Sequence, residues 1–212
     1  MSIILFKCYQ NLNNFYGAIS IFASFLFTVQ MQKYSWNKRN DNKPMPDFLH
    51  LTQLHFLTPY YKFSNHIINL YICIIVLFFD DHLHIFGYTL GIVYVIRAIL
   101  FSITIFPKPG LMKDKNLNSN AIQIFYNFIS GEDTHIGFNN DLVISGHCSI
   151  LVIISKYISY FYPTFEYQIY LWLITFFTSI FIILTKCHYS LDIVNAYVFS
   201  LFVFDNLVKY VE

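Results

Sequence analysis

A chain of 212 residues that is 56% hydrophobic and only 12% charged, with a mean hydropathy of +0.50, is not a soluble domain; in those about a quarter of the residues are charged. At about 20 apolar residues per crossing, the length admits roughly five or six membrane spans and leaves no sizeable soluble domain. A net charge of +1 gives no reason to expect nucleic acid as a partner, and four scattered cysteines (Cys8, Cys73, Cys148, Cys187) do not make a disulfide framework.

In chain order, the first span is predicted over about residues 16–31. The apolar run ahead of it is interrupted by Lys7, Gln10, Asn11, Asn13 and Asn14 and lacks a convincing cleavage site, so a removable signal peptide is not expected. The polar connection SWNKRNDNKPMPD follows, where Pro44 and Pro46 forbid helix. After a stretch of mixed character, a short second span over about residues 67–79 ends in DDHLH, which reads as a solvated turn. The third span, about residues 86–106, contains Arg97 and is broken at PKPG. The loop over residues 107–140 is the longest polar segment, and its middle, AIQIFYNFI, alternates enough for a short interfacial helix. The fourth span covers about residues 142–162, YPTFEY turns the chain, and the fifth and sixth cover about residues 169–185 and 191–208. No internal repeat or low-complexity segment is visible. The expectation is an all-α polytopic membrane protein, a single domain over residues 1–212, with six transmembrane helices and the active site at one membrane face. Its many tyrosines and phenylalanines suit interfacial belts and helix packing.

The span count has a consequence. With six spans, the first and third loops and the starts of spans four and six share one side. PMPD, PKPG, His147 and His188 with Asp192 then converge. With one span fewer before the fourth, PMPD or PKPG would face the other way.

Chemistry concentrates on that side. In HYSLD the spacing of His188 and Asp192 lets the carboxylate accept a hydrogen bond from one ring nitrogen, fixing the tautomer and leaving the other nitrogen for chemistry. His147, in DLVISGH, sits where a polar run meets an apolar one, as His188 does. Two histidines and a carboxylate at the mouths of apolar spans are what phosphoryl transfer at a membrane surface needs; the plain alternative is interfacial polar residues without chemistry. Arg97 is the only arginine inside a span, and a guanidinium there needs a partner or a wet cavity. A bidentately held phosphate is one such partner, and an ion pair with Asp192 or Asp141 is another. Asp141 either caps span four or orients a histidine, with capping favoured. Ser145 and Gly146 let the backbone approach a phosphate closely. His135 with Glu132 and Asp133 reads as loop surface, and Cys148 and Cys187 as small, mostly buried fillers.

Four segments in order resemble the sphingomyelin synthase family, a branch of the lipid phosphatase and phosphotransferase superfamily. PMPD (Pro44 to Asp47) is similar to the family's P-P-x-P-D. RAILFSITIFPKPG matches R-x-I-T-x-x-x-T-x-x-P-x-P-G at Arg97, Ile99, Thr104, Pro107, Pro109 and Gly110. DLVISGHC (Asp141 to Cys148) resembles D-x-x-x-S-G-H-T, and HYSLDIVNAY (His188 to Tyr197) resembles H-Y-[ST]-x-D-V-x-x-A-Y. The resemblance implies a six-span enzyme that moves a phospho-headgroup from a glycerophospholipid to ceramide through a phosphohistidine on His188. Asp192 would orient that ring and His147 would act as acid and base, with no metal or other cofactor. Arg97, Asp141, Ser145 and Gly146 would bind the phosphate. Cys148 replaces the family's threonine, and Asn139 and Asn140 replace a C-G pair, departures that lie near the headgroup. Ile182, six before His188, stands where soluble acid phosphatase relatives carry arginine, which counts against a generic phosphatase.

The resulting expectation is phosphocholine transfer from phosphatidylcholine to ceramide, giving sphingomyelin and diacylglycerol. Ethanolamine and inositol phosphate are rival headgroups, and a lipid phosphatase or phospholipase C is a second enzyme reading. The alternative of a different class is a non-catalytic lipid-binding protein, which has no need of both histidines and Asp192. The partners expected are the two lipid substrates in a Golgi, ER or plasma membrane, with a homo-oligomer left open. Lys33, Lys38, Arg39, Lys43, Lys108, Lys113, Lys115 and Lys186 favour a cytosolic motif face by charge. The resemblance implies the lumenal or outer side, and that expectation is adopted.

Overall fold

The computed structural model describes residues 2–36, 47, 56–57, 60, 62–78, 82–104 and 142–211. The expected PKPG break, the AIQIFYNFI helix, His135 and Asp141 lie outside them. Among the described residues regular structure is helical, in six helices: α1 Ser2–Trp36, α2 Lys62–Phe78, α3 Leu83–Ile103, α4 Gly146–Phe161, α5 Phe165–Leu184 and α6 Ser190–Val211. Four apolar stretches are long enough to cross a membrane, at Gln10–Gln32, Leu83–Ile103, Glu166–Leu184 and Ser190–Tyr210. The protein is an all-α polytopic membrane protein.

Helix α1 extends past the expected span at both ends, and the asparagines do not interrupt it. One of them has a use. Asn14 Oδ1 accepts the backbone N–H of His84 at 3.0 Å, serving the start of α3, where the N-cap residue His82 makes no side-chain cap of its own. The same oxygen lies 3.3 Å from His84 Nδ1, and His84 is buried. His84 thus departs from the reading of DDHLH as a solvated turn, whereas His82 is exposed in a turn and stacks on Phe161 at 4.3 Å, and Asp80 and Asp81 are outside the described residues.

Without a hydrophobic drive between helices in lipid, association depends on close approach and hydrogen bonds. The α1–α3 seam is built that way. A Cβ on Gly87 would lie 2.7 Å from the Gly17 carbonyl, so only glycine allows the two backbones to meet there. Thr28 Oγ1 donates to Ser24 O (2.8 Å) and reaches Tyr94 O (3.3 Å) across the seam. A second seam joins α4, α5 and α6 through Ser155–Thr175 (2.7 Å), Cys148–Ser179 (3.3 Å) and Ser179–Tyr197 (3.4 Å). Cys148 is thus a buried filler with a hydroxyl partner, as expected.

Helix α4 is the pillar of the molecule. It packs against α2, α3, α5 and α6, and Leu151, Val152, Ile153, Ile154 and Tyr157 are fully buried. It begins at Gly146 and not near Leu142 as expected, because residues ahead of it are held out of helical geometry: Ser145 is extended at φ −69 and ψ 115, and Val143 has a positive φ of 123. What holds them is the candidate site.

Candidate active site

His188 is delivered by the turn between α5 and α6. Helix α5 closes with Lys186 N donating to Ile183 O (2.8 Å) and Cys187 N to Ile182 O (3.3 Å), the bond pair of a Schellman cap. Lys186 takes the left-handed position at φ 58. The reversal places His188 and Tyr189 just ahead of α6, so the His188–Asp192 pair spans a helix start and does not lie within a helix.

Asp192 is the third residue of α6 and is fully buried. Its Oδ2 accepts the Tyr189 backbone N–H at 2.9 Å, the carboxylate half of a capping box, and lies 3.2 Å from His188 Nδ1. Its Oδ1 reaches the neighbouring segment and accepts Val143 N–H at 2.9 Å. One carboxylate therefore caps a helix, orients a ring and ties α6 to the chain leading into α4. Because a carboxylate accepts, His188 donates from Nδ1, and the lone pair of the neutral ring falls on Nε2.

The segment ahead of α4 is gripped from both sides. Asn195 Nδ2 donates to Val143 O (2.8 Å), Ser145 N donates to Asp192 O (3.1 Å), and Arg97 Nε donates to Ile144 O (2.9 Å). A β-branched residue at positive φ is strained and persists only where its surroundings over-determine it. These bonds do that for Val143. Ser145 Oγ accepts Cys148 N–H at 3.3 Å and is the N-cap of α4, the role that had been favoured for Asp141.

His147 then projects from the first turn of α4. Its ring centroid lies 6.4 Å from that of His188, with the planes at 62°. Its Nε2 is 2.7 Å from Asn65 Oδ1 in the first turn of α2. The Arg97 guanidinium lies over the rings of Tyr94 (5.3 Å) and Phe101 (5.9 Å), and its Cζ is 3.1 Å from where a Cβ on Gly146 would stand. Gly146 is glycine because that space belongs to Arg97. Of the ion-pair partners expected for Arg97, Asp192 makes its contacts with Val143, His188 and Tyr189 instead, and Asp141 lies outside the described residues. Asp47, from PMPD, clamps the start of α6, accepting Ser190 N–H at 2.6 Å and Ser190 Oγ–H at 2.9 Å.

The N-termini of α2, α4 and α6 therefore meet at one place. A helix N-terminus carries roughly half a positive charge; that of α6 is already met by the carboxylates of Asp192 and Asp47, which leaves those of α2 and α4 to face an anion. Arg97 stands beside them, and two imidazoles face the same place, an arrangement whose chemistry is compatible with a phosphate ester. His147, His188, Asp192, Arg97, Ser145 and Gly146 are brought together, while Asp141 is outside the described residues. Sequence inspection missed Asn65 and Asn195. Asn195 follows Asp192 by three, on the same helix face. Asn65 precedes the second span on the side to which the span count assigns the motifs.

Residues 140–210 match a family model described as PAP2 superfamily C-terminal, about a third of the chain, covering α4 to α6 with both histidines. The match supports the lipid phosphatase and phosphotransferase superfamily. It supports an enzyme that acts on a phosphate ester by hydrolysis or transfer, and it does not reach Arg97 or Asp47. Comparison with curated proteins gives no match.

Proposed function

We propose that the chain is a sphingolipid synthase, transferring phosphocholine from phosphatidylcholine to ceramide. The observation that carries the reading is the His188–Asp192 pair set against His147 at the meeting point of three helix N-termini. His188 Nε2 attacks phosphorus, forming a P–N bond as the P–O bond to diacylglycerol breaks. His147, protonated, gives its proton to the departing oxygen. The primary hydroxyl of ceramide then attacks the phosphohistidine, its proton passes to His147, and the P–N bond breaks. Asp192 stabilises the His188 ring while it is positively charged. Arg97 and the helix ends offset charge on the phosphoryl oxygens. Support for ceramide as acceptor comes from the four-segment resemblance, which includes the Arg97 and Asp47 segments that the family match leaves uncovered. The membrane would be that of the Golgi, the ER or the cell surface.

The test uses fluorescent ceramide and membranes from cells lacking their own synthase, with choline, ethanolamine and inositol phospholipids offered separately. Wild type is expected to form a fluorescent phosphoceramide from the choline donor, and His188→Ala to lose at least about 10³-fold in rate. Product from another donor alone renames the headgroup. Phosphocholine released without ceramide identifies a phospholipase C, and inorganic phosphate released from phosphatidic acid a phosphatase. No product from any donor sinks the transferase.

A further inference from the structure

Asn65 belongs to no motif, yet it is the α2 residue in contact with His147. It is 7% exposed, in the first turn of a 17-residue helix. A primary amide offers one acceptor oxygen and two N–H donors. The oxygen is engaged: Oδ1 lies 2.7 Å from His147 Nε2, and since a carbonyl oxygen only accepts, Nε2 carries the proton and the ring's remaining nitrogen is Nδ1. The nitrogen is not engaged: Nδ2 is buried and has no hydrogen-bond partner among the described residues. Buried donors without partners are rare because the desolvation cost is uncompensated. This one stands beside a histidine whose ring faces His188, at the positive end of α2.

We propose that Asn65 is a further binding residue of this site, holding His147 through Oδ1 and donating from Nδ2 to a non-bridging phosphoryl oxygen of the substrate. The inference rests on the phosphoryl-transfer reading and deepens it. A neutral donor suits the position. It binds the anionic oxygen without adding a fixed charge beside His147, whose protonation must change during the cycle.

A purely structural Asn65, tying α2 to α4, predicts different behaviour. Leucine keeps the number of side-chain heavy atoms and the branching at Cγ, is somewhat larger, and has no unpaired donor. If only packing mattered, Asn65→Leu would leave anion binding untouched. The probe is orthovanadate, a mimic of the phosphoryl group in transfer, titrated against the full chain in detergent with the melting temperature as readout. Wild type is expected to be stabilised by vanadate. Asn65→Leu removes the unpartnered donor together with the acceptor of His147 Nε2–H, so it is expected to melt near the wild-type temperature without vanadate and to bind it about 10- to 100-fold more weakly, the worth of one hydrogen bond to a charged group. Asn65→Asp, which keeps the acceptor and loses the donor, is expected to fall at least as far; Asn65→Leu decides the matter if the aspartate variant does not fold.

Equal vanadate affinity in wild type and Asn65→Leu overturns the assignment, and so does a wild type that vanadate does not protect. The ceramide assay separates this from the parent reading. Asn65-dependent vanadate binding without any phosphoceramide product removes the transferase and keeps Asn65 in the anion site. An active wild type matched by Asn65→Leu in kcat, KM and vanadate affinity does the reverse.

Discussion

Replacing Asp192 with alanine leaves the buried N–H groups of Val143 and Tyr189 facing no acceptor, together with the Nδ1–H of His188. Each stranded backbone donor costs about 1–3 kcal/mol, so Asp192→Ala is expected to lower unfolding stability by roughly 2–5 kcal/mol, read by denaturation in detergent. Asp192→Asn is expected to cost nearly as much, because three donors converge on the carboxylate and an amide must turn a fourth donor toward one of them. Where the amide nitrogen meets His188 it also forces the ring proton to Nε2 and removes the nucleophilic lone pair. Phosphoceramide formation by any folded Asp192→Asn protein is therefore expected to drop by about 10³- to 10⁴-fold. The partnership of these two residues was legible in the sequence, because a spacing of four allows a side-chain contact. What the spacing concealed is that the contact crosses a helix start. The capping-box role of Asp192 follows only once the first residue of α6 is known. Asn65 was not legible: one asparagine at the edge of an apolar stretch resembles any interfacial polar residue until the partner helix is placed.

At the scale of elements, the turn that presents His188 spends conformational energy. Lys186 occupies a left-handed position that costs a residue with a Cβ about 1 kcal/mol or more. Lys186→Gly is expected to retain the Schellman bonds and to raise stability by about 1 kcal/mol, measured by the same denaturation experiment. An ion pair also joins α4 and α6, where Lys156 Nζ lies 2.9 Å from Asp205 Oδ1. Asp205 is half exposed, so the pair is expected to contribute no more than about 1 kcal/mol of coupling in a double-mutant cycle of Lys156→Met and Asp205→Leu. Among the described residues, helix order and number were readable from hydropathy, since each lipid-facing helix must be apolar for about 20 residues. The ends were less so. The start of α1 and the residues just before α4 are governed by partners distant in sequence, Asn14 with His84 and Val143 with Asp192, which hydropathy does not register.

For the whole molecule, the most deeply buried helix is among the shortest. Helix α4 has 16 residues, a rise of about 24 Å, inside a hydrocarbon layer about 30 Å thick. Its far end emerges at exposed Pro163 and Thr164, whereas Leu142, Ile144 and Ser145 at the histidine end are buried. The helix alone falls short of that layer by roughly 6 Å, and the buried extended residues 142–145 continue it at the histidine end. On the proposed reading this puts the histidines below the plane where headgroups ordinarily rest, so that a lipid must sink, or the bilayer must dimple, before phosphorus and imidazole meet. Depth then becomes a filter on the acceptor. For the proposed acceptor, a ceramide hydroxyl has no large headgroup holding it at the surface and would reach that level by lateral diffusion, while water would arrive only against the apolar wall. Thinner membranes ease the donor's descent, so reconstitution into bilayers of shorter acyl chains should raise turnover and longer chains should depress it.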